Sequence, residues 1–116
     1  MFGLKNHHIE AISRCFERYP GIKTVVIYGS RARGDYKHGS DIDLNIQGTL
    51  SNSELVKLEN ELDDLLLPYK IDLSMLSEIR NPNLLAQIRK GRVFFDSAHN
   101  LAVNEPAPEF KEGGMD

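Results

Sequence analysis

At 116 residues the chain has room for one domain and not for two. An apolar share of 41% supports one modest core, and 14 basic against 17 acidic residues sum to −3, which excludes a strongly cationic nucleic-acid or membrane binder. The charge is unevenly placed: from Asp96 to Asp116 five acids stand against one lysine, so residues 1–95 hold 13 basic and 12 acidic groups, a net of +1. The single cysteine, Cys15, rules out an internal disulfide and a Cys-built zinc site, and its apolar neighbours Ile12 and Phe16 point to a buried thiol. No basic segment leads into an apolar run at the start, and nowhere do 18 apolar residues follow one another. The expected setting is reducing, soluble and cytoplasmic, with no membrane contact and no direct nucleic-acid contact.

In chain order, Leu4 to Tyr19 spaces Leu4, Ile9, Ile12, Cys15, Phe16 and Tyr19 as the apolar face of a helix, stopped by Pro20-Gly21. Ile22 to Tyr28 is β-branched and aromatic, too short for a stable helix, and reads as a buried strand ended by Gly29. A polar stretch from Gly29 to Ser40 reads as a glycine-punctuated loop. Asp41 to Ile46 then alternates polar and apolar residues, the pattern of a strand with one polar face. Ser51 and Glu54 form a capping box for a helix carrying Leu55, Leu58, Leu62, Leu65 and Leu66, closed by Pro68. Lys70 to Leu76 alternates again, with Ile71, Leu73 and Met75 on one face and Asp72, Ser74 and Leu76 on the other. Asn81-Pro82 opens a last helix to Lys90, Gly91 is placed to cap it, and Val93 to Phe95 adds an edge strand. The expected fold class is α/β (α+β): a small mixed sheet with helices packed on it, one domain over residues 1–96, and a disordered acidic tail over 97–116.

Three features of this order carry chemistry. Gly29-Ser30 directly follows a strand, where glycine lets the backbone approach a phosphate and exposed amides bind anions. Asp41 and Asp43 sit two apart on the next strand, about 6.6 Å along it and on one face. Asp72 is on the polar face of a third strand, and if that strand neighbours the second, three carboxylates converge with cross-strand spacings of about 5 Å. Carboxylates so placed repel and raise one another's pKa, a penalty that Mg²⁺ removes; two such ions about 3.5–4 Å apart would clamp a nucleotidyl transfer. Ser30 adds a hydroxyl, Arg31 and Arg33 add positive charge for a polyphosphate, and Ser40 lies where it could orient Asp41. Plainer readings stand beside these: Asp72 as a polar-face residue, Arg31 and Arg33 as solvated loop charges, Ser40 as a turn residue, and Asp35 as turn chemistry.

Gly29-Ser30, ten intervening residues, then Asp41-Ile42-Asp43, within GSRARGDYKHGSDIDL, resembles the DNA polymerase β nucleotidyltransferase superfamily and in particular its minimal, single-domain prokaryotic branch, the MNT proteins. The similarity spans roughly Ile22 to Leu76. It implies a polymerase β-like fold, two Mg²⁺ ions held by Asp41, Asp43 and Asp72, and ATP as substrate. It further implies Asp72 as the acid that helps deprotonate the attacking hydroxyl, with Gly29 and Ser30 on the β/γ-phosphates. MNT proteins pair as antitoxins with HEPN-domain ribonuclease toxins encoded beside them and transfer AMP to a toxin tyrosine. That implies a hetero-oligomeric complex and a protein adenylyltransferase activity (AMPylation). Two other functions share these features: a small-molecule nucleotidyltransferase similar to aminoglycoside-modifying enzymes, and an antitoxin that acts by binding alone.

Overall fold

A computed structural model describes residues 1–98 and 106–108. The elements run α1 (Asn6–Glu17), β1 (Ile22–Tyr28), α2 (Ser30–Arg33), β2 (Ile42–Gly48), α3 (Asn52–Asp63), β3 (Ile71–Met75), a 3₁₀ turn over Leu76–Glu78, α4 (Pro82–Arg89) and β4 (Arg92–Asp96). The four strands form one mixed sheet in the order β3-β2-β1-β4. β1 runs antiparallel to both β2 and β4, whereas β2 and β3 are parallel. The fold class is the mixed α/β layer expected from the element order.

Strand alternation divides the sheet into two faces. Ile42, Leu44 and Ile46 of β2 join Ile22, Val25 and Ile27 of β1 in the larger core, closed by Ile9, Ile12, Cys15 and Phe16 of α1 and by Leu58 and Leu62 of α3. Each such side chain, taken fully out of water, stabilises the fold by roughly 1.5–3 kcal/mol. On the opposite face Val26 and Tyr28 pack with Ile79 and with Leu85 and Ile88 of α4. Asp43 and Asp72, which pair in register with Tyr28, stand on this second face.

The capping box forms: Ser51 Oγ accepts from Glu54 N at 3.1 Å and Glu54 Oε1 accepts from Ser51 N at 2.9 Å. Asn81 Oδ1 likewise accepts from Asn83 N at 2.8 Å and Leu84 N at 3.3 Å at the start of α4. Three expectations shift. Within the expected loop, Ser30–Arg33 winds into a single helical turn. α3 stops at Asp63 rather than running to Pro68, and Leu66 turns into the left-handed region at φ 52° with 89% of its surface exposed. Gly91 does not cap α4 in a left-handed conformation; a Cβ there would lie 2.5 Å from the Ile27 carbonyl oxygen, so close approach of α4 to β1 demands glycine. Most of the expected tail lies outside the described residues. Of the tail residues beyond Ala98 that are described, Pro106 bridges to Arg92, and Ala107 N donates to Gly91 O at 3.1 Å and packs against the second cluster. No helix of the described residues is long and apolar enough to cross a membrane.

Candidate functional site

The site grows from strand register. Tyr28 pairs with Asp43 across β1 and β2, and Asp43 pairs with Asp72 across β2 and β3. One row across three strands therefore reads Tyr28, Asp43, Asp72, all on the α4 face. The row beneath it reads Val26, Asn45, Ser74. Asp41 lies one residue before β2 begins and is exposed, so the aspartate pair straddles the strand end instead of standing wholly on it. Ile42 N donates to Lys70 O at 2.8 Å and so pins the two segments that lead into Asp41 and Asp72 side by side.

Electrostatics agrees with this convergence. Burial pushes the Asp43 carboxyl above the ordinary aspartate range, and the negative charges of Asp72 and then Asp41 push it further. Burial, with Asp43 and Asp72 nearby, also raises the Tyr28 hydroxyl against a hydrogen bond with Ser74 that lowers it. Among the described residues no group of three or more His, Cys, Asp or Glu side chains is arranged to hold a metal ion by itself. The donor set nonetheless fits a hard divalent cation bound in part by substrate: it is all carboxylate oxygen, and its central member bears unrelieved like charge from both sides.

Gly29 ends β1 with φ 78° and ψ −153°, a conformation essentially reserved for glycine. A Cβ there would fall 2.7 Å from Asp43 Oδ2, so this glycine brings the turn directly against the central carboxylate. Ser30 follows it, half-buried, as the first residue of α2. Arg33 is exposed, and its Nε pairs with Asp35 Oδ2 at 3.2 Å. Ser40 uses its Oγ to accept from Lys37 N at 2.8 Å, a turn contact, while its carbonyl faces Arg31.

Arg31 departs most from expectation. Instead of reaching into solvent for a polyphosphate it turns inward and is 3% exposed. Its Nε and Nη2 both donate to Ser40 O, at 3.0 and 2.8 Å, and Nη1 donates to Phe2 O at 3.0 Å. The guanidinium carbon lies 5.2 Å from the Tyr36 ring centre and 4.9 Å from that of Tyr69. The guanidinium thus binds carbonyl oxygens through its N–H donors while its cationic carbon lies over two aromatic rings, which attract it electrostatically.

Residues not expected in the site complete it from below. Asn45 is fully buried, donates from Nδ2 to Ser74 Oγ at 3.0 Å, and has no partner for its Oδ1. Its signal in the sequence is the polar residue continuing the Asp41, Asp43 alternation. Tyr28 had none, because an aromatic at the end of a β-branched run reads as core. A cavity of about 460 Å³ lined by His7, Arg14, Glu61 and other residues of α1 and its surroundings lies on the other side of the sheet, away from the carboxylates. Asp41 and Asp72 are exposed and Asp43 is half-buried between them.

Residues 10–100 match the family model described as polymerase beta, nucleotidyltransferase. A protein of Methanocaldococcus jannaschii named "Putative protein adenylyltransferase" is 38% identical over 80 residues, which are 67% of this chain and 80% of that one. A second protein of that name and organism is 36% identical over the same shares of the two chains. Among solved structures, a chain from the crystal structure of a toxin-antitoxin with AMP-PNP superposes with a TM-score of 0.61 at 23% identity, covering 84% of this chain and 77% of that one. A chain from the complex of tri-AMPylated Shewanella oneidensis HEPN toxin with MNT antitoxin gives 0.59 at 19% identity, covering 84% and 76%. The strand-end glycine, the carboxylate row and the match over most of the chain agree, and the chain belongs to the polymerase beta nucleotidyltransferase family.

Proposed function

We propose that this nucleotidyltransferase is an antitoxin that transfers AMP from Mg-ATP to a tyrosine hydroxyl of a HEPN ribonuclease toxin encoded beside it. The observation that carries the reading is the Asp43–Asp72 register pair abutting the Gly29 turn, an arrangement that supports phosphate binding by the turn beside metal binding by the carboxylates. The names of the relatives and the toxin-antitoxin complexes among the structural neighbours support protein as the acceptor.

Asp41, Asp43 and Asp72 would hold two Mg²⁺ ions, whose chemistry is to neutralise the triphosphate and to polarise the attacking and leaving oxygens. Gly29 and Ser30 offer backbone N–H groups and a hydroxyl to the β/γ-phosphates, and Arg33 can exchange its exposed Asp35 partner for a phosphate. The tyrosine oxygen attacks the α-phosphorus and the bond from that phosphorus to pyrophosphate breaks. The hydroxyl proton passes to the Asp72 carboxylate and on to solvent. Asp72 is exposed, so its proton has a route to water. Catalysis is then positioning and charge neutralisation with no covalent work by the protein.

The test incubates the chain with labelled ATP, Mg²⁺ and the product of the adjacent gene. Label is expected on a toxin tyrosine and is expected to vanish with Asp41→Asn plus Asp43→Asn. Absence of label with the wild-type chain, under conditions where ATP binds, refutes protein AMP transfer. Protection of cells by the double variant would instead assign neutralisation to binding alone.

A further inference from the structure

Arg31 is a buried cation without a carboxylate partner among the described ion pairs. Burying an unpaired charge is costly, so its contacts must fix something that an apolar side chain would not. Those contacts fall on the two segments that deliver the outer carboxylates. Ser40, which accepts from Nε and Nη2, is the residue before Asp41. Tyr69, whose ring lies against the guanidinium, precedes Lys70, whose carbonyl accepts from Ile42 N. Two residues further along that strand comes Asp72. A third contact, to Phe2 O, ties both segments to the chain ahead of α1.

We infer that Arg31 is a positioning residue that sets the separation of Asp41 and Asp72 about the central Asp43, and is not a ligand of the nucleotide. The inference rests on the carboxylates being the metal-binding group proposed above. Asp43 is held by strand pairing on both sides. Asp41 is pinned only on its far side, where Ile42 N donates to Lys70 O; on its near side it ends a loop in which Gly34 and Gly39 both have positive φ. The guanidinium restrains that near side by gripping Ser40 O with two donors that converge on it. It meanwhile lies over the rings of Tyr36 in the Asp41 loop and Tyr69 on the Asp72 approach. Lysine cannot reproduce this, because one ammonium presents neither a planar fork nor a flat face.

The test compares the full-length wild-type chain with Arg31→Lys, Tyr69→Leu and Tyr69→Phe. Mn²⁺ binding to each is read from the electron paramagnetic resonance of free Mn²⁺, and KM for ATP and kcat are read separately. Urea midpoints report which variants are folded. Arg31→Lys and Tyr69→Leu are expected to weaken Mn²⁺ binding about 10- to 100-fold, as loss of residues that orient metal ligands does, and to lower kcat more than they raise KM. Tyr69→Phe keeps the ring and is expected to bind Mn²⁺ as the wild type does. If Arg31→Lys does not fold, Tyr69→Leu decides. Unchanged Mn²⁺ binding with a raised KM for ATP would make Arg31 a phosphate ligand and overturn the inference. A wild-type chain that binds no Mn²⁺ would overturn the carboxylate reading itself, a result distinct from the first.

Discussion

Replacing Gly29 by alanine tests the packing of the strand-end turn on the central carboxylate. The φ of 78° and ψ of −153° place Gly29 where a side chain costs on the order of 1–3 kcal/mol in backbone strain alone. The added Cβ would also lie 2.7 Å from Asp43 Oδ2, closer than real contacts allow, so the carboxylate must move. Gly34 is the control: its φ is 89° but no atom lies within 4 Å of a Cβ there, so Gly34→Ala carries only a conformational cost of about 1–2 kcal/mol. Urea unfolding measures both. With an m-value of about 1–3 kcal/mol/M, a loss of about 2 kcal/mol lowers the midpoint by about 1 M. Asp43→Ala removes the obstructing oxygen, so Gly29→Ala and Asp43→Ala are expected to couple by about 0.5–3 kcal/mol in a double-mutant cycle, the pair losing less than the sum. Purely additive losses, with Gly29→Ala no worse than Gly34→Ala, would refute the claimed packing.

The raised Asp43 carboxyl makes a signed pH prediction. The folded chain holds this proton more tightly than the unfolded one, so stability falls as pH rises from the ordinary aspartate value of about 4 through the raised value. In EDTA, Asp43→Asn is expected to abolish that part of the slope and to have a higher urea midpoint than wild type at pH 7; parallel profiles would contradict it. Mg-ATP at a hundredfold its Kd stabilises a binding-competent chain by about 2.7 kcal/mol, so the wild-type melting temperature is expected to rise while that of Asp41→Asn plus Asp43→Asn does not. Leu66→Gly relieves an exposed left-handed leucine and is expected to raise the urea midpoint; a lowered midpoint would refute the strain. Ser51→Ala removes the cap of α3 and is expected to cost about 1 kcal/mol in the same assay.

Local chemistry made much of this protein legible in its residues. The β-branched run at Ile22–Tyr28, the period-two run at Ile71–Met75, the Ser51–Glu54 box and Asn81-Pro82 are short-range signals, and each became the element it predicts. The Gly29-Ser30 and Asp41-Ile42-Asp43 spacing marked a candidate site, and the structure brings Gly29 against Asp43, because a strand-end turn and an alternating strand need no distant partner to be recognised. Distance along the chain decides the rest. Asp72 lies 29 residues from Asp43, and only the parallel pairing of β2 with β3 makes them neighbours. Arg31 looked like a phosphate ligand because its neighbours in sequence are polar and glycine-rich. Its neighbours in space are Phe2, Ser40, Tyr36 and Tyr69, drawn from three separate segments, and they turn it inward. Length, composition and charge, together with residue order, determined a mixed α/β fold and pointed to an acid-and-glycine candidate site. Tertiary structure decided which acids meet and which cation holds them, since sheet register and loop packing are properties of contacts that no local pattern encodes.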